Sequence, residues 1–298
     1  MDDDDSKKND EEEEGVVVES NVEFISKEEM EKLKELKRRV IGMDNEYVPM
    51  NSSDQAIVRN LSLYTSQPTN QLTHTHTQYT QWRYLVAQNW NINKAEKMYR
   101  DSMKWRCEID MKRILNMFQK GEYTNEKEET LTKLGKKLFY GYVIGETVQD
   151  APLLCERIGR AEFAKISKDK ESLHATKLAY AAYLETAWLI LEKRNKCERG
   201  VIVVDLEGIS MSLLWNVSIL KQIIHVGPLH YPEITKRVMI IRAPYFFTQL
   251  WAIVKRFVPK RTQHKIQVFG HSDYIDELAK ITKGGLDSLP SYLKPSSS

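Results

Sequence analysis

The hydrophobic period of the chain changes several times, and each change predicts an element. In SKEEMEKLKELKRR, Met30, Leu33 and Leu36 fall on one helical stripe, with Ser26 and Glu29 at capping-box spacing. Residues 44–81 have no period; they are polar, carry Pro49 and Pro68 and end near LTHTHTQYT, which predicts an irregular loop or insertion. From Trp82 a helical pattern returns, pauses at Asn91 and resumes over NKAEKMYRDSMKWRCEIDMKRILNMF. There Ala95, Met98, Tyr99, Ser102, Met103, Trp105 and Ile109 mix helical spacings, as in a helix buried on more than one side. Gly121 and the polar run to Glu129 close this helical lobe.

After Leu138 the period shortens. KLFYGYVIG and APLLCERI are rich in aromatic and branched residues and predict two strands joined by a turn. A long helix follows from about Ser172 to Lys193, with Leu178, Ala181, Leu184, Trp188 and Leu191 on its apolar side. VIVVD, RVMIIRAP and KIQVFG are then apolar at nearly every position, as in strands covered on both faces. Helical stretches separate them, and SDYIDELAKIT predicts a last helix. The alternation predicts an α/β fold with one mainly parallel sheet, preceded by a helical N-terminal lobe. The expected divisions are a tail at 1–26, a helical lobe at 27–125 interrupted at 44–81, and an α/β domain at 126–298.

The stretch RAPYFFTQLWAIVKRFVPKRTQHK stands apart. Phe246, Phe247, Leu250, Trp251, Val254 and Phe257 gather on one face of a helix, and Lys255, Arg256, Lys260, Arg261 and Lys265 follow with no acid among them. Such a helix suits contact with lipid and a lipid surface together. A core helix whose cations complement its dipole fits the same pattern.

Charge sharpens the picture. Nine acids against Lys7 and Lys8 give residues 1–14 a charge of −7, so the remainder carries +9 where the whole chain of 298 residues carries +2. The acidic tail is expected to be disordered. A basic body suits an anionic partner, either a membrane surface or nucleic acid. No RNA or DNA module is recognisable, which ranks nucleic acid last. No apolar run approaches a membrane span, and neither a signal peptide nor a lipidation motif is seen, so the expectation is a cytoplasmic monomer with peripheral, reversible membrane contact.

Chemistry is sparse. Cys107, Cys155 and Cys197 form no CxxC pair and are expected to be buried free thiols. His74 and His76 have no cysteine or carboxylate near them in sequence, so no metal is expected. There is no GxGxxG, no GxxxxGK[ST] and no GxSxG. Cys155 and Arg160 stand one residue too close for a phosphatase-type loop, and Asp205 and Glu207 read more simply as capping or salt-bridging residues than as catalytic ones. No catalytic residue and no cofactor is expected.

Several motifs in order carry a resemblance. DLEGISM, then HYPEITKRVMIIRAPYFFTQLWAIVKRFVPKRTQHKIQVFG, then LPSYL, together with WRYLVAQNWNINKAEKMYRDSMKWR, are similar to the CRAL-TRIO family of lipid-binding domains, particularly its secretory phosphatidylinositol-transfer type. The likeness covers roughly residues 82–292. It implies a sheet that floors an apolar lipid cavity, walled in part by Tyr142, Ile202 and Val204. It makes the helix carrying Phe246, Phe247, Leu250, Trp251, Val254 and Phe257 the gate, and turns Lys255, Arg256, Lys260 and Arg261 towards a membrane. It implies a headgroup site at Glu233, Thr262, Lys265 and Arg83, and a phospholipid, phosphatidylinositol, as ligand. Two departures bear on specificity. Where the family reads RFLRARKFD this chain reads RYLVAQNWN, so Val86 and Gln88 replace arginines, the second of which helps hold the inositol phosphate in the family. Gly200 and Ile202 replace a Ser and a Thr of members that bind phosphatidylcholine, which argues against that lipid as exchange partner. A sensor or adaptor that binds phosphoinositides without moving them is the alternative function.

Overall fold

The computed structural model describes residues 26–40, 78–194 and 198–294. The acidic tail, residues 44–77 with His74 and His76, and Cys197 lie outside the described residues. Helix α1 (Lys27–Val40) begins on its capping box: Glu29 N–H donates to Ser26 Oγ at 3.2 Å and Ser26 N–H to Glu29 Oε2 at 2.9 Å. Helix α2 (Gln78–Ala87) starts inside the stretch expected to be irregular. Burial of Tyr79, Thr80 and Gln81, with the Thr80 hydroxyl donating to Glu192 at 2.5 Å, makes a helix of this polar sequence. Asn91 caps α3 (Ile92–Glu108), and α4 (Met111–Leu115) widens into a π turn that Gly121 ends at φ +71°. The end of the polar run that was expected to close the lobe instead starts a helix, α5 (Glu126–Leu138). Its buried Thr132, Gly135 and Leu138 give it a face to pack on.

Strand β1 (Gly141–Glu146) is antiparallel to β2 (Pro152–Glu156), because the short link between them has no room for a parallel crossover. Helices α6 (Phe163–Lys168) and α7 (Lys170–Arg194) lead to β3 (Gly200–Asp205). The stretch from Ile209 to Val226, expected to be helical, comes as a 3-10 turn (Met211–Trp215), α8 (Val217–Ile224) and the start of α9 (Val226–His230). Pro228 has no N–H to donate to the Ile224 carbonyl, so the helix restarts there. Then come β4 (Thr235–Ile241), α10 (Phe247–Val254), α11 (Lys260–Gln263), β5 (Ile266–Val268) and α12 (Ile275–Ile281). The five strands lie in the order β1-β2-β3-β4-β5, and all pairs after the first are parallel. The fold is α/β, as the alternation predicted.

Strand alternation gives the sheet two distinct faces. On one, Leu153, Cys155, Val201, Val203, Met239 and Ile241 pack against Tyr274, Leu278, Leu289 and Leu293 of the C-terminal segment. The other meets α7, α8 and α10. Here one core runs from Leu33 and Trp82 through Tyr99 to Leu184 and Leu250, so the N-terminal helices share it with the sheet's helices. A buried ion pair, Arg106 Nε to Glu185 Oε2 at 3.0 Å, ties α3 to α7, and the Tyr231 hydroxyl donates to the same carboxylate at 2.8 Å.

Candidate functional site

The site lies on the second face, between the sheet and α10. Ile202 and Val204 of β3 and Val238 and Ile240 of β4 line a cavity of about 170 Å³ whose roof is Phe247, Leu250, Trp251 and Val254. Alternation produces this wall: Val201 and Val203 are buried on the opposite side, while Ile202 and Val204 stay partly accessible to the void. Glu156, at the end of β2, is the charged side chain among the lining residues. Burial pushes its carboxyl up to about 7. A lone acid closing an otherwise apolar strand was its signal in the sequence.

A second cavity, of about 350 Å³, continues from the first. Both are lined by Tyr180, Ile202, Ile224, Val238, Val258 and Thr262, and the second adds Gln88, Glu233, Arg261 and Lys265. Glu233 sits at φ +53° and is buried. Its carboxylate lies 3.0 Å from Arg199 Nε, 3.1 Å from Arg261 Nε and 3.4 Å from Lys265 Nζ. Lys265 also donates to the Thr235 carbonyl at 2.7 Å, and burial lowers its pKa. The fold thus joins an apolar compartment to a polar one in which cations outnumber acids.

Of the expected site residues, Glu233, Thr262 and Lys265 come together, as do Ile202, Val204, Phe247, Leu250, Trp251 and Val254. The others need correction. Arg83 is fully buried and is not among the cavity-lining residues; its Nη1 donates to the Glu233 carbonyl at 2.5 Å and its Nη2 to the Glu198 carbonyl at 2.8 Å. It positions Glu233 by its backbone. Tyr142 pairs with Cys155, so register places it on the far face, where it is exposed. The roof helix spans eight residues and leaves out both ends of the expected gate. Phe246 is a buried N-cap against the Tyr245 ring, and Phe257 lies in the turn that tightens ahead of Pro259, under Lys221 Nζ at 5.0 Å. Lys255, Arg256 and Lys260 are exposed, but Arg261 turns inward to Val86 and Glu233.

The remaining chemistry is structural. Asp205 accepts from Arg242 Nη2 at 2.7 Å and Nε at 3.0 Å, with Arg157 Nε at 3.4 Å. Cys155 is buried, and burial pushes its thiol up to about 12, which removes it as a nucleophile at neutral pH. Cys107, expected to be buried, is exposed on α3. Among the described residues no helix is long and apolar enough to cross a membrane.

Comparison with known proteins bears on this arrangement. Residues 136–287, more than half of the chain, match the CRAL/TRIO domain. The chain belongs to the CRAL/TRIO family, whose proteins are lipid-binding. Protein real-time of Anopheles gambiae is 30% identical over 226 residues, covering 71% of this chain and 30% of that protein. The SEC14 cytosolic factor of Yarrowia lipolytica is 27% identical over 219 residues, covering 72% of this chain and 41% of that one. The chain therefore spans well under half the length of these relatives. The crystal structure of Sfh5 superposes with a TM-score of 0.54 at 15% identity, covering 92% of this chain and 95% of that one, and so shares the fold. The family match supports a lipid-binding protein.

Proposed function

We propose that the protein carries a single phospholipid, phosphatidylinositol, between membranes, acting from the cytoplasm as a monomer that touches membranes transiently. The observation behind this reading is the junction of the two cavities through six shared residues, from Tyr180 to Thr262, so that one amphipathic molecule can occupy both. Acyl chains take the apolar compartment under α10, where each methylene removed from water is worth about 0.8 kcal/mol. The headgroup takes the polar compartment, with Lys265 and the Thr262 hydroxyl towards phosphate and Glu233 accepting from inositol hydroxyls. At about 170 Å³ the apolar compartment in this closed form is smaller than two acyl chains, so loading requires α10 to move outward.

The surface around the roof fits membrane contact. Trp215 and Tyr245 are 88% and 90% exposed, beside exposed Met211. Lys255, Arg256 and Lys260, which follow the roof helix, are exposed as well. Cations near an anionic bilayer are worth about 1 kcal/mol each.

Incubation of the purified protein with mixed liposomes, re-isolation and mass spectrometry of bound lipid tests the reading. Phosphatidylinositol at about one molecule per protein is the expected result, and protein that returns empty from liposomes that load a known family member refutes it. Membrane binding without transfer between vesicles identifies an adaptor instead.

A further inference from the structure

Arg261 enters the polar cavity from α11, the short helix behind the roof. Its Nη1 donates to the Val86 carbonyl at 2.6 Å, near the end of α2, and its Nε lies 3.1 Å from Glu233 Oε1. It therefore bridges two walls of the cavity. Lys265, four residues on, reaches the other oxygen of the same carboxylate. Gln88, two residues past Val86 on the same cavity wall, is uncharged, its amide 3.1 Å from the Met98 sulfur. The charged side chains on the wall are thus Arg261, Lys265 and Glu233, a surplus of one positive charge, and Arg199 presses on Glu233 as well.

The partners of Arg261 are a neutral carbonyl and a carboxylate already shared with two other cations. Arg261 meets this carboxylate through Nε alone, because Arg199 and Lys265 hold the other oxygen, whereas a phosphate can offer its fork two oxygens at once. Arg261 is also 45% exposed on its side chain, so it can turn without rebuilding a core. Its helix is joined to the roof: Gln263 Nε2 donates to the Lys255 carbonyl at 2.9 Å and to the Val258 carbonyl at 2.8 Å.

We propose that Arg261 is the phosphate-gripping, specificity-determining residue of the polar cavity, exchanging the Val86 carbonyl and Glu233 for the phosphate of an inositol headgroup. This rests on the lipid-carrier reading for its source of phosphate, but the chemistry recognised is an inositol phosphate, whether on a lipid or free.

The test uses the full chain as wild type, Arg261→Ala, Arg261→Lys and the double variant Gln88→Arg/Arg261→Ala. Each is loaded from phosphatidylcholine vesicles containing phosphatidylinositol, and bound lipid is quantified by mass spectrometry. A second arm measures binding of free inositol 1-phosphate by calorimetry. Arg261→Ala is expected to lower phosphatidylinositol loading roughly ten- to hundredfold, with Arg261→Lys intermediate. Gln88→Arg restores loading by supplying a guanidinium from another position on the same cavity wall, and such rescue excludes a fold defect as the cause. Undiminished loading of Arg261→Ala overturns the proposal, as does a loss that Gln88→Arg does not repair. Wild type that returns without lipid refutes the carrier reading. In that case loss of inositol 1-phosphate binding in Arg261→Ala sustains the role of Arg261 with a free ligand, and absence of binding by wild type removes it.

Discussion

Glu233 occupies a left-handed backbone position, φ +53°, that costs a non-glycine residue about 1 kcal/mol or more. Arg83 holds it there, donating to its carbonyl and to that of Glu198 from a fully buried position between the Trp82 and Trp188 rings. Arg83→Ala is expected to destabilise the fold by about 3–5 kcal/mol, the range for stripping one partner from a buried charged cluster, as read by urea unfolding. Glu156 makes the opposite kind of prediction. Its carboxyl is raised from 4.5 to about 7 by burial, so between those values the folded protein keeps a proton that the unfolded chain releases. Its contribution to stability is full below pH 4.5 and declines as pH rises through 7, by on the order of 3 kcal/mol. Unfolding free energies measured across this window should show that decline in wild type and its loss in Glu156→Gln.

Among elements, the roof helix and its flanks matter most. The sequence pattern identified the apolar face of α10 but not its length, because Pro259 tightens the turn ahead of it and Phe246 is spent on the cap. Apolar runs located the strands well, since a strand buried on both faces needs little else. They did not tell which face Tyr142 joins, which depends on the pairing of Gly141 with Glu156 in a hairpin whose register carries a bulge. On the outside of the roof, Trp215 and Tyr245 lie at the ends of the connections that leave β3 and β4. Trp215→Ala and Tyr245→Ala should each weaken co-sedimentation with anionic vesicles several-fold, by about 1 kcal/mol, while leaving the melting temperature unchanged, since neither side chain is buried. Equal binding by both variants would move the membrane contact elsewhere.

At the scale of the whole molecule, the polar cavity is assembled from positions as distant in sequence as Gln88 and Lys265. Thr262 and Lys265, like Glu233, came only with the family motifs, as what the resemblance implied. Arg261 looked like one more surface cation because a sequence shows charge but not the direction in which a short helix presents it. The basic surplus beyond the acidic tail proved to be divided. Lys255, Arg256 and Lys260 face outward, Lys265 lines the polar cavity half-buried, and Arg261 lines the same cavity while remaining 45% exposed.

The two hydrogen bonds from Gln263 to the carbonyls of Lys255 and Val258 join the last turn of the roof to the residue pair that would hold a headgroup. On the carrier reading, this makes the roof and the headgroup clamp one lever. Exchange is then a concerted event, whose rate is set by the stronger of two grips instead of by either in sequence. A bilayer rich in anionic lipid would draw on both ends of that lever at once, and cargo would leave fastest where such a surface is met.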